Sequence, residues 1–218
     1  MSKQFWAVLG VLAAVFIGII FINNKGSNTT SSNVQPTNHV IGSTSSGVLV
    51  MEYGDYQCPA CGIFYQTVHD TISDYKDRVQ FQFRNLPLTS LHPNAFAGAR
   101  AAEAAALQGK FWEMHDQLYV NQNVWSSASD PMSYFRSYAQ SLQLNMEKFT
   151  SDFASSHVND LINADITAFE KTKADKATPT FFINGKQVDS NSLLDSSGQP
   201  SKEAFAKVID EAIASKKQ

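Results

Sequence analysis

VMEYGDYQCPACGIFY, residues 50–65, is the stretch on which the fold turns. It begins inside a near-continuous apolar run, Val48 to Tyr53, of strand length and with the composition of a strand covered on both faces, typical of a central parallel strand. Gly54-Asp55-Tyr56-Gln57 reads as a turn. Cys58-Pro59-Ala60-Cys61 then opens a helical pattern over Pro59–Tyr75, with Ile63, Phe64, Val68, Ile72 and Tyr75 as its apolar stripe. Proline suits the first turn of a helix, where its missing N–H costs nothing. Val79–Arg84 alternates as a second strand. The unit is β-α-β, with the two cysteines at the helix N-terminus.

These are the only two cysteines in 218 residues. A disulfide between them would close a two-residue loop and stabilise the fold little, because loop-closure entropy grows with loop length. CxxC is also half a zinc site, but the five histidines (His39, His69, His92, His115, His157) are scattered and supply no second half; no metal or cofactor is expected. Redox chemistry remains the main expectation. A thiolate is the species that attacks a disulfide. Unpaired N–H groups and the positive end of the helix dipole stabilise a thiolate at Cys58. Cys58 is therefore the better nucleophile, and Cys61, one turn inside, suits the resolving role.

Glu52 interrupts the apolar run six residues before Cys58. Between Val50, Met51 and Tyr53 it is expected to be buried, with its pKa raised by desolvation, so that it can exchange a proton as Cys61 changes state. An exposed edge-strand glutamate is the competing expectation.

Further along, His92–Gln108 is Ala-rich and helical, Lys110–Gln122 carries apolar residues at helical spacing, and Asp130-Pro131 looks like a helix start. Asn145 caps another helix, and one more runs over His157–Lys173. Trp112 and Trp125 are expected to pack this helical block, with His92 capping or packing and His69 on a helix surface. Strand pattern returns at Thr180–Ile183. Asn184-Gly185 turns it back onto Lys186–Val188, and an amphipathic helix over Pro200–Ala214 closes the chain.

Upstream, Phe5–Ile22 is eighteen residues without a charge, and as a helix it would reach about 27 Å, near the hydrocarbon thickness. The run passes into Asn23-Asn24-Lys25, a poor cleavage site, so an uncleaved signal-anchor is expected, with residues 1–4 cytoplasmic. Thirteen of the 22 residues of Gly26–Gly47 are Ser, Thr or Asn, too little apolar surface to offset ordering entropy. Residues 23–38 are expected to be a flexible linker and 39–218 the folded domain, with His39-Val40-Ile41 as an edge strand. The net charge of −3 and 17% charged residues argue against nucleic acid as a partner, which usually meets a clustered basic face.

With these residues in place, the chain resembles the DsbA-like thiol:disulfide oxidoreductases of the thioredoxin superfamily. VMEYGDYQCPACGIFY is similar to their active-site block, LHPNAFAGARAAEAAALQGKFWEMHDQLY (residues 91–119) to the start of their helical insertion, and ATPTFFINGKQV (residues 177–188) to their cis-proline block. The resemblance implies an α/β thioredoxin fold with an inserted helical domain at about 90–165, preceded here by the N-terminal transmembrane helix. It implies Cys58 as nucleophile, Cys61 as resolver, Glu52 as buried acid, Pro179 as a cis-proline facing the cysteines, and Thr178 as the residue whose backbone pairs with a bound peptide. The Cys58–Cys61 disulfide would be the redox group. Partners would be reduced or unfolded exported proteins and a membrane reoxidant of the DsbB or vitamin-K-epoxide-reductase-like type. The expected location is the bacterial cell membrane, single-pass, with the catalytic domain extracytoplasmic. One departure stands out: Pro59-Ala60 replaces the Pro-His of the best-known oxidases, which removes a positive charge beside the nucleophile and points to a weaker oxidant. A disulfide reductase or isomerase using the same site, or a tethered folding-helper or metal-chaperone module without redox turnover, are the alternatives.

Overall fold

The computed structural model describes residues 34–216. The expected anchor at Phe5–Ile22 and residues 23–33 of the expected linker lie outside them. Among the described residues no helix is long and apolar enough to cross a membrane.

A five-stranded sheet in the order β1-β3-β2-β4-β5 forms the centre. Its strands are β1 (His39–Gly42), β2 (Leu49–Gly54), β3 (Gln80–Asn85), β4 (Thr180–Ile183) and β5 (Lys186–Gln187). β2 and β3 run parallel because α1 (Pro59–Tyr75) crosses over between them. The β2–β4 pairing is antiparallel, so β2 is central but only half parallel. β4 and β5 form the hairpin set by Asn184-Gly185, both at positive φ (50° and 80°) as a type I′ turn requires. β1 pairs antiparallel with β3 at the edge.

The two faces of the sheet are covered by different helices. Val50 and Phe81 pack with Tyr75 of α1 and with Ile209 and Ile213 of the last helix, α8 (Lys202–Lys216). Tyr53 and Phe182, on the opposite face, pack against Phe169.

Between β3 and β4 lie α2 (Ala95–Ala106), α3 (Phe111–Val120), the single turn α4 (Gln122–Trp125), α5 (Met132–Ser141), α6 (Met146–Phe153) and α7 (Ser156–Thr172). The run of alanines in α2 is buried along nearly its whole length, which lets neighbouring helices approach closely. Trp125 is fully buried and Trp112 half-buried within this block. α7 is one continuous helix serving two cores, and it passes from one to the other at Ile166, which packs against both. Its first half sends Val158 and Ile162 into the helical block, and its second half sends Phe169 onto the sheet.

The expected linker boundary at residue 38 also shifts. Thr37 is buried. Its N–H and hydroxyl both donate to the Asp165 carboxylate at 2.7 Å. Asp165 also accepts from the Asn85 backbone N–H at 3.0 Å. The folded domain therefore begins before His39, fixed by a buried acid that needs these donors.

Candidate active site

Cys58 takes the N-cap position of α1, with φ −65° and ψ 122° and no side-chain cap bond. Proline follows at N1, and the first turn holds no acidic residue. The free N–H groups of that turn thus face a sulfur with no carboxylate competing for them. The turn leading in is braced by Asp55. Its carbonyl accepts the Cys58 N–H at 3.1 Å, and its fully buried carboxylate accepts from Gln57 N, Leu88 N and His92 Nδ1 at 2.8, 2.9 and 2.7 Å. His92 therefore lies before α2 and serves the cysteine turn rather than a helix cap. A second brace comes from the insertion. The Gln122 amide donates to the carbonyl oxygens of Tyr56 and Cys58, each at 2.9 Å. Gly62 leaves room for it, since a Cβ there would collide with that amide.

The two sulfurs sit in unequal surroundings. Both are free thiols. Hydrogen bonding from Cys61 stabilises a thiolate on Cys58 against the opposing cost of burial. The Thr178 side chain and the backbone N–H groups of Cys61 and Ala60 add to this, and the Cys58 pKa falls to about 5. Burial first, then its bond to Cys58, pushes Cys61 well above the ordinary thiol value. Cys61 is 1% exposed and accepts the Asp55 N–H at 3.5 Å.

The expected partners of the pair converge from both directions along the chain. Thr178-Pro179 is a cis peptide, and in the thiol form Cys58 Sγ donates to the Thr178 carbonyl oxygen at 3.4 Å. The buried Thr178 hydroxyl has no partner among the described residues; ionised Cys58 supplies an acceptor for it. Glu52 is buried, which settles the edge-strand alternative. Its register neighbours are Phe83 of β3 and Phe181 of β4. Burial among such residues, and then the charge of Cys58, raise its pKa to about 8.

Several residues of this neighbourhood carry little sequence signal. Gln122 and Tyr119 sit in an amphipathic stretch where any polar or aromatic residue is unremarkable. Asp55 reads as an ordinary turn residue. Glu103 offered a clue, a lone acid in an alanine run. It is 1% exposed and holds His39 Nε2 at 2.8 Å and Asn85 Nδ2 at 2.6 Å. Among the described residues no cluster of side chains could hold a metal ion.

The family model described as Thioredoxin matches residues 34–211. Among solved structures, BdbD from Bacillus subtilis superposes with TM-score 0.67 at 22% identity, covering 83% of this chain and 96% of that one. Wolbachia pipientis alpha-DsbA1 superposes with TM-score 0.67 at 21% identity, covering 84% and 94%. Among curated proteins, the Na(+)/H(+) antiporter NhaA 3 of Salinispora tropica is 40% identical over 149 residues, 68% of this chain but 22% of that protein. The chain spans 22% to 31% of the length of such antiporter relatives, so the likeness concerns one part of them. The chain belongs to the thioredoxin family, and its fold, with the helical insertion, is that of the family's DsbA-like members.

Proposed function

We propose that the chain is a thiol:disulfide oxidoreductase that donates disulfides to exported proteins through Cys58 and Cys61, anchored by Phe5–Ile22 with its catalytic domain outside the cytoplasm. The observation that carries this is the unequal placement of the two sulfurs: Cys58 caps α1 with its sulfur 3.4 Å from the carbonyl oxygen of the cis Thr178-Pro179 pair, while Cys61 is 1% exposed, and the Cys58 pKa accordingly falls to about 5 while that of Cys61 is pushed up. At neutral pH the reduced pair holds Cys58 as a stabilised thiolate. Stabilising the reduced form makes the disulfide the more ready oxidant. The neighbouring thiol, Thr178 and the N–H groups of Cys61 and Ala60 stabilise that thiolate with no histidine between the cysteines.

In the forward direction a substrate thiolate attacks Cys58 Sγ of the disulfide. The Cys58–Cys61 bond breaks, and Cys61 leaves with the electron pair and takes a proton. A second substrate thiolate then attacks the substrate sulfur of the mixed disulfide and expels Cys58 as thiolate. The substrate is oxidised by two electrons and the protein pair reduced by two. Thr178, whose carbonyl lies beside Cys58, would hold the substrate backbone. A membrane reoxidant of the DsbB or vitamin-K-epoxide-reductase-like type would restore the disulfide.

The test is oxidative refolding of a reduced, unfolded substrate by the oxidised protein. Activity above a Cys58→Ser control supports the proposal, and its absence overturns it. A reduction potential near that of thioredoxin would reverse the direction and make the chain a reductase.

A further inference from the structure

A groove of about 580 Å³ opens where the cysteine turn meets the helical insertion. Its size is that of a ligand-binding cleft, about 300–1,000 Å³. Three segments line it: Gln57 and Pro59 of the cysteine turn, His92–Asn94 ahead of α2, and Ser126–Ser129 between α4 and α5. Thr178 and Pro179 are not part of its lining. The groove thus adjoins Cys58 through its two chain neighbours, whereas Thr178 meets the sulfur directly.

Side-chain hydrogen bonds tie the three segments together. The Gln57 amide donates to the Ser126 carbonyl oxygen at 2.7 Å, and its oxygen accepts the Asn94 N–H at 2.5 Å. The Asn94 amide donates to the carbonyl oxygens of Ser126 and Ala128 at 3.2 and 2.8 Å. His92 is held through Nδ1 by the buried Asp55 carboxylate at 2.7 Å. A frame fixed before binding spares a ligand the cost of ordering it. The frame uses both amides and the loop carbonyls. It leaves to the groove the hydroxyls of Ser126, Ser127 and Ser129 and the second ring nitrogen of His92, which accepts when the ring is neutral and donates when it is charged. Of the lining residues only Pro59, Pro93 and Ala128 lack a polar side chain, and none is a lysine, arginine, aspartate or glutamate. The lining is polar and, apart from His92, uncharged.

We propose that this groove is a substrate subsite: it takes the extended polypeptide beside the reacting cysteine and selects uncharged polar side chains there. The inference rests on the reading of Cys58 as the sulfur that substrate attacks. With the substrate sulfur on Cys58 and one flank of its backbone on Thr178, the other flank runs past Pro59 into the groove. An extended chain advances about 3.3–3.6 Å per residue, so the selected residues are the first few beside the cysteine. Their side chains and peptide groups pair with the serine hydroxyls and the His92 ring. A leucine in the same place would strand those polar groups without water or partner, at a cost larger than the bond it fails to make. The subsite decides which substrate cysteines are oxidised first and leaves the exchange at the sulfurs unchanged.

The experiment measures the second-order rate at which dithiol peptides reduce the oxidised full chain. Two peptides are matched in length, charge and thiol pKa. Serine and asparagine flank the cysteines of one, leucine and valine those of the other. Dithiothreitol, which has no flanks to enter the groove, is the reference. Wild type should favour the polar peptide by at least about threefold, the low end of what one hydrogen bond contributes. The double variant Ser127→Leu/Ser129→Leu makes the lining apolar at two exposed loop positions. It should abolish or reverse that preference and keep the wild-type rate with dithiothreitol. Equal rates for the two peptides in wild type would overturn the inference without any variant. So would a preference that survives in the double variant, or a loss of rate with dithiothreitol as large as with the polar peptide. If dithiothreitol reduces wild type and neither peptide does, it is the oxidoreductase reading itself that falls.

Discussion

Cys58 Sγ lies 3.4 Å from the carbonyl oxygen of Thr178, a residue 120 positions further along the chain. The contact brings the start of β4 against the end of the cysteine turn. It also places the unpartnered Thr178 hydroxyl where an ionised sulfur can use it.

Thr178→Val should therefore raise the Cys58 pKa from about 5. The rise should be about half to one pH unit, the worth of one ordinary hydrogen bond. Thiolate absorbance near about 240 nm, followed against pH, measures it. An unchanged titration would show that the hydroxyl plays no part.

Alkylation of the reduced protein should discriminate the two sulfurs. At pH 7 Cys58 is ionised and Cys61 is a buried neutral thiol. Iodoacetamide should label Cys58 at least about tenfold faster than Cys61, since the thiolate is the reactive species. Peptide mass spectrometry reads the ratio, and equal labelling would contradict the assignment of roles.

The stability of the reduced protein should carry two opposed pH dependences. Cys58 has a depressed pKa in the fold, so its contribution is full above the unfolded thiol value and is lost as pH falls toward about 5. Glu52 has a raised pKa, so its contribution is full below the ordinary carboxyl value and is lost as pH rises through about 8. Between these values the two oppose. Glu52→Gln removes the second, and the reduced variant should gain on wild type as pH rises from 5 to 8. The gain should be on the order of 1 kcal/mol per pH unit. His115 loses stability for both proteins below its ordinary value of 6.5 and cancels in the comparison. Denaturant unfolding at several pH values measures the gap, and a constant gap would refute the buried-acid account.

Gly62 and Gln122 should show a reversal of sign. Alanine in place of glycine inside a helix ordinarily gains up to about 1 kcal/mol. At Gly62 the new Cβ displaces the Gln122 amide from its two carbonyls, and a net loss of about 1–2 kcal/mol is expected. In a Gln122→Ala background the same change should become stabilising. Denaturation of the four proteins of that cycle decides, and additivity would exclude the coupling.

Asp165→Ala should release the N-terminal segment of the domain. It strands the Thr37 and Asn85 donors and should cost about 2–4 kcal/mol. Limited proteolysis should then cut near residues 34–38 in the variant and spare them in wild type.

Much of the fold is legible in the sequence because it rests on local signals. Val48–Tyr53, Pro59–Tyr75 and Asn184-Gly185 each declare their elements through periodicity, proline placement or turn chemistry, and each forms within a residue or two of the expected span. The same holds for the cysteines, since a helix N-terminus is a local feature. What sequence does not reveal is which polar residues meet across long separations. Thr37 looks like linker composition, and only Asp165, 128 residues away, makes it part of the core. Gln122 and Tyr119 are equally silent, because their roles come from the packing of the insertion over the cysteine turn. The end of the insertion carries no local mark for a related reason: one continuous helix, α7, passes there from one core to the other.

The clasp of Gln122 on the Tyr56 and Cys58 carbonyls bears on how portable the tetrapeptide is. Cys-Pro-Ala-Cys grafted onto a thioredoxin scaffold lacking the helical block would inherit the helix end but not the amide that fixes the turn. Its redox behaviour would then follow the host. The motif spans four residues, but the unit that would have to be transplanted also includes a side chain 64 residues away.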